Sequence, residues 1–125
     1  KGRKTNALVD LIDIYPTVVE LLDLELPKHQ LAGESLVPVL DNPSHDGKSH
    51  VFFKNAKGYS IQTQEFSYTE FIDDNNQTFA SMLYDHRTDS DENINVVNKA
   101  SYADVVAQLS TLLHTKYLSN ILGDL

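Results

Sequence analysis

The chain contains no cysteine and no tryptophan, a single methionine, and only five glycines spread along 125 residues. Without cysteine there is no disulfide, no thiolate nucleophile and no cysteine-held zinc site. A cysteine-free chain suits any redox compartment, so the compartment stays open. The scattered glycines build no phosphate-cradling loop. No apolar run reaches about 18 residues, so no membrane span is expected. Positive charge is scarce too: 10 Lys and Arg stand against 18 Asp and Glu, a net charge of −8. Nucleic-acid binding would need a basic face, and none is visible. Like charges also repel a strongly anionic polymer. The one basic cluster, Lys1, Arg3 and Lys4, reads as a chain terminus. Asp10 and Asp13 interrupt the apolar stretch after it, which spoils a signal-peptide core. With no starting Met, the chain reads as a piece of something longer.

What is present is globular in proportion: 41% hydrophobic and 22% charged residues. Ile14, Val18, Leu21 and Leu22 share a stripe at helical spacing, with Val19 beside it, which predicts a helix from Asp13 to Leu24. Asp13 is its expected N-cap, Pro16 lies in the first turn, and Pro27 is the expected stop. Residues 27 to 50 carry Pro38, Pro43 and Gly47 and read as a long connection, with one helical turn inside 33–40. Four strand-like runs follow: Val51–Lys54, Lys57–Thr63, Glu65–Ile72 and Thr78–Tyr84. Their short connections predict antiparallel hairpins. Ser101 and Asp104 have capping-box spacing, and Tyr102, Val105, Val106, Leu109, Leu112, Leu113 and Tyr117 trace one helical stripe, with Gly123 as a stop. The expected fold class is α+β: a four-stranded antiparallel sheet packed on a C-terminal amphipathic helix, preceded by an N-terminal helix and a long connection. The expected division is 1–48 and 49–125.

Little in the chain speaks of chemistry. No two of the five histidines, His29, His45, His50, His86 and His114, have the spacing of a helical metal pair, and His114 reads as a rim residue. Asp89, Asp91, Asn93 and Asn95 alternate as in an EF-hand loop. The required Gly and Glu are replaced by Ile94 and Ala100, and a strand precedes the run. A turn whose Asp and Asn side chains bond the backbone is the expected reading. No serine sits in a nucleophile elbow. Asn76-Gln77-Thr78 is a formal glycosylation triplet, relevant only in a eukaryotic secretory setting.

Four segments, in this order, resemble the C-terminal part of sulfatases. Asp10-Leu11-Ile12-Asp13-Ile14-Tyr15-Pro16-Thr17-Val18-Val19-Glu20-Leu21-Leu22 is similar to "V-D-L-Y-P-T-L-L-E-L", and Gly33-Glu34-Ser35-Leu36-Val37-Pro38-Val39-Leu40 to "G-x-S-L-x-P-L-L". Gly58-Tyr59-Ser60-Ile61-Gln62-Thr63 with Tyr68-Thr69-Glu70-Phe71 is similar to "G-Y-S-I-R-T…Y-T-E-W". The run from Leu83 to Asn95 is similar to "L-Y-D-H-x-x-D-P-x-E-x-x-N". The third segment resembles the iduronate-2-sulfatase group of the alkaline-phosphatase-like superfamily.

The resemblance implies a parent protein that hydrolyses sulfate esters, of sulfated sugars, with a formylglycine nucleophile and calcium. Such proteins are periplasmic, secreted or lysosomal. The family's C/S-x-P-x-R motif is absent here. No catalytic or metal residue is therefore carried over, and no cofactor is expected within this piece. Its implied partner is the catalytic domain of the same polypeptide. Exposed apolar surface would make a homodimer the expected form of the isolated piece. Gln62 stands where the pattern has Arg, Phe71 where it has Trp, and Ser90 where it has Pro. Losing an Arg removes a bidentate partner for carboxylate or sulfate. The position is either an ion-pair member of the scaffold or part of the substrate pocket, and Gln62 is the one pocket candidate. Tyr59, Tyr68 and Phe71 read as core. The rival reading is a free-standing interaction or binding module on the same scaffold.

Overall fold

The computed structural model describes residues 2–118, with side chains through Lys116. The chain divides into two compact units, 1–51 and 52–125.

In the first unit Leu8 bridges to Gly47 and Lys48 in extended form. A 3-10 turn, Leu11–Asp13, then leads into α1, Ile14–Leu21. Pro16 lies in the first turn of α1, where its missing N–H costs nothing. Asp13 does not cap α1 with its side chain. Its carboxylate is fully buried and takes the N–H groups of Asp10 and Glu34, each at 2.9 Å, and the Lys48 ammonium. Thr17 donates to Asp13 O at 2.6 Å and accepts the Leu36 N–H at 2.8 Å.

The helix also ends earlier than Pro27 would require. Asp23 adopts φ 51°, its N–H reaches Glu20 O at 3.1 Å, and the Leu24 N–H reaches Val19 O at 3.0 Å. This is a Schellman closure with Asp in the position usually given to Gly. A short helix α2, Val37–Asp41, supplies the expected turn. Arg3 donates to the carbonyls of Leu40 and Asp41 at its end.

The apolar stripe of α1 behaves unexpectedly. Within this unit Pro16, Thr17 and Val19 are buried, Val19 to 5% exposure. Ile14, Val18, Leu21 and Leu22 are exposed, Leu22 to 63%. Leu11 is 81% exposed. The helix is therefore apolar on both sides.

The second unit is the sheet and its helix. Strands β1 (Val51–Asn55), β2 (Gly58–Gln62), β3 (Phe66–Ile72) and β4 (Thr78–Asp85) lie in sequence order as an antiparallel meander. Ile61 pairs with Tyr68, and Tyr68 with Leu83, so one rung carries three buried side chains. A 3-10 turn, Ala100–Tyr102, precedes α3, Ala103–Leu113, and a π-turn continues it over His114–Leu118. Leu109 and Leu113 join Ile61, Phe66, Tyr68, Leu83 and Val96 in one core. Each such leucine contributes ~1.5–3 kcal/mol of burial.

The expected capping box does not form. Ser101 lies in the 3-10 turn and no side chain caps α3. The entry is held instead by the Tyr102 hydroxyl, which donates to Asp85 Oδ2 at 2.9 Å. The expected stop at Gly123 lies outside the described residues.

Candidate functional site

Alternation along the strands gives the sheet two unlike faces. Tyr68, Glu70 and Leu83 turn toward α3. Ser60 and Thr69 turn the other way, with their hydroxyls 2.7 Å apart. Gln62, the pocket candidate, is the last residue of β2, on that outer face, and half-buried. It pairs with Ser67, which pairs in turn with Tyr84.

Of the residues read as core, Tyr68 is buried within the cluster and Tyr59 packs on its margin. Phe71 is half-buried, with its ring centroid 6.2 Å from that of Phe79. The acidic run after β4 closes on itself. Asp89 accepts the Ile94 N–H at 2.7 Å, and Asn95 Oδ1 accepts the N–H groups of Leu83 and Val97. Those side chains stabilise a turn, as the sequence implies. Among the described residues no three His, Asp or Glu side chains converge as metal ligands would. The C/S-x-P-x-R motif that supplies the formylglycine in the resembled family is absent from the sequence.

Two buried carboxylates escape sequence reasoning. Glu70 is 2% exposed under the end of α3. Tyr68 OH (2.9 Å) and Ser110 Oγ (2.6 Å) donate to one oxygen, and Thr78 Oγ1 (2.9 Å) and His114 Nε2 (2.7 Å) to the other. Burial pushes its pKa up, but those four hydrogen bonds together outweigh it and hold the carboxyl below its ordinary value. Burial beside Glu70 pushes the Tyr68 hydroxyl well above the usual phenol range. His114 thus sits at the rim, as expected, and fastens the last turn to the sheet.

Asp85 receives the Arg87 guanidinium through Nε (2.8 Å) and Nη2 (2.7 Å). That fork, together with Tyr102 and against the cost of burial, holds the carboxyl far below its usual range. Arg87 also lies 4.6 Å over the Phe66 ring, a cation–π contact.

Asp13 completes the set. Burial raises its pKa, and Lys48 with the Glu34 and Asp10 N–H groups lower it further than burial raises it. A carboxyl depressed in the folded state favours folding above its unfolded value, and that contribution disappears as pH falls through the folded value. All three act in the same sense. Stability is expected to hold above about pH 5 and to fall steeply below about pH 4. Urea midpoints at pH 6 and pH 3 check this, and an unchanged or higher midpoint at pH 3 would contradict it.

The second unit is thus a meander under a terminal helix, fastened by buried carboxylates. Comparison with known proteins gives the family. A family model described as N-sulphoglucosamine sulphohydrolase, C-terminal, matches residues 1–118. The chain belongs to that family: it is a sulfatase C-terminal domain. Human arylsulfatase K is 28% identical over 127 residues, covering 91% of this chain and 23% of its own length. An N-acetylglucosamine-6-O-sulfatase of Bacteroides thetaiotaomicron is also 28% identical, with 90% and 22% covered. A solved structure of a protein in complex with its substrate D-glucosamine-2-N,6-O-disulfate superposes with a TM-score of 0.71 at 28% identity, covering 86% of this chain and 24% of that one. The chain therefore spans less than a quarter of the length of these relatives.

Proposed function

We propose that this chain serves a longer sulfatase that hydrolyses sulfate esters of an amino sugar. Residues 1–48 would complete its catalytic domain, and 49–125 would buttress that domain and wall the substrate pocket. The formylglycine and the calcium would belong to the preceding part of the longer protein. The named activities of the relatives, on N-acetylglucosamine 6-sulfate and on disulfated glucosamine, support the substrate class.

The observation that carries the reading is α1. A helix that is apolar on two sides, one of them open to water, fits the interior of a larger structure. Leu11, Ile14, Val18 and Leu22 are exposed here, and a contiguous apolar patch of this kind marks a covered surface. A free-standing module would not keep it open to water. The same face would draw isolated chains into dimers.

Val18→Asp tests this in two settings. In the longer protein it is expected to lower soluble, active enzyme at least about tenfold, through a buried unpaired charge. In the isolated chain it should raise the monomer fraction seen by light scattering. Wild-type yield and activity in the longer Val18→Asp protein would show that the face is not covered, and would defeat the proposal.

A further inference from the structure

Asp46 is the only aspartate in the chain that precedes a glycine, and no asparagine does. Such a pair is chemically distinctive. The glycine carries no side chain to hinder its amide nitrogen from approaching the aspartate carboxyl. Asp46 is exposed, so water reaches that carboxyl.

The fold arms this pair. The Gly47 N–H donates to His45 Nδ1 at 3.0 Å. A nitrogen that accepts carries no proton, so the imidazole holds its proton on Nε2 and stands as a base against the amide. Glycine is also demanded at this place. Gly47 adopts φ 67°, and a Cβ there would lie 2.8 Å from the Ala7 Cβ.

We infer that Asp46–Gly47 is a site of spontaneous aspartate isomerisation, with His45 as its base. The Gly47 nitrogen attacks Asp46 Cγ while His45 takes the amide proton. An N–Cγ bond forms and the Cγ–OH bond of the protonated carboxyl breaks. Hydroxyl and proton leave as water, and the product is a five-membered succinimide. Water then opens the ring. Attack at Cγ restores aspartate. Attack at the main-chain carbonyl carbon of Asp46 breaks its bond to the Gly47 nitrogen and leaves isoaspartate, with the chain running through Cγ. Water lost in the first step returns in the second, and no oxidant or cofactor is consumed.

The consequence lies one residue on. Lys48 holds the buried Asp13 carboxylate, and Leu8 bridges to both Gly47 and Lys48. Isoaspartate lengthens the main chain by one carbon just before this anchorage. It therefore loosens Lys48 and, through Asp13, the Asp10 and Glu34 N–H groups that share that carboxylate.

The test is prolonged incubation of the 125-residue chain near neutral pH, beside His45→Ala and Asp46→Glu. A protease that cuts before aspartate but not before isoaspartate, with mass spectrometry of the peptides, reads the product. Wild type is expected to accumulate isoaspartate at position 46 through a species lighter by one water. His45→Ala should slow this by at least about tenfold, as loss of a general base does. Asp46→Glu should form none, because its ring would need six members. In the purified isomerised chain the Asp10 and Glu34 amides should exchange faster with solvent, while β2 and β3 keep their protection. No isoaspartate at 46 would overturn the proposal. Equal rates in wild type and His45→Ala would remove His45 as the base, and unchanged exchange at Glu34 would sever the link to Asp13.

Discussion

Replacing Glu70 by alanine is expected to destabilise the sheet-and-helix unit by about 3–5 kcal/mol, the range for stripping one member from a buried charged network. The carboxylate is 2% exposed and satisfies four donors from β3, β4 and the α3 helix with its π-turn. Alanine leaves the buried Tyr68 hydroxyl without its acceptor, and it removes the acceptor of half-buried Ser110 and exposed Thr78. It also frees His114, so the last turn of the helix loses its attachment while Leu109 and Leu113 remain packed.

Glu70→Gln separates shape from charge. It keeps the volume but replaces one acceptor oxygen by a donor, which then faces donors. Its cost should fall between wild type and alanine. Hydrogen exchange along β3 and α3, with urea unfolding, reads both effects. If Glu70→Ala unfolds at the wild-type midpoint, the network is decoration.

Gly33→Ala is the second large effect, and its cause is pure geometry. A Cβ at Gly33 would overlap the Ile12 carbonyl oxygen and lie 2.6 Å from its carbonyl carbon. Backbone cannot retreat as a flexible side-chain tip can. The neighbouring Glu34 N–H is also one of the donors to buried Asp13, so any shift of this segment pulls on that carboxylate. The expected loss is about 3 kcal/mol in the first unit, the upper end for an added carbon, because the clash is with backbone. The second unit should keep its own exchange protection, because the two are separately compact. A wild-type midpoint for Gly33→Ala would mean that the 33–36 segment does not approach α1 as described.

Much of this architecture is legible in the chain. The strands announce themselves by period-2 alternation and by turn residues, and each lies within two residues of its predicted bounds. The α3 stripe and its place on the sheet follow from one apolar face needing one apolar surface. The helix ends are not legible, because capping is expected of familiar residues. Asp23 closes α1 where Gly is the usual signal, and Tyr102 anchors α3 through its side chain rather than through a Ser–Asp box. Glu70 escapes notice although the chain carries a trace of it. It occupies the buried register of Phe66, Tyr68 and Ile72, and a carboxylate on that face demands donors from whatever covers it. Ser110 and His114, four apart on the covering helix, are those donors. The place of Gln62 on the outer face can be read from alternation.

The proposed role is to support sulfate-ester chemistry in a longer protein without performing it. Sulfate release from N-acetylglucosamine 6-sulfate, followed by ion chromatography with calcium supplied, measures that directly. The pure 125-residue chain should release none above buffer, while the longer protein containing it turns the substrate over. Steady release by the short chain alone would contradict the account.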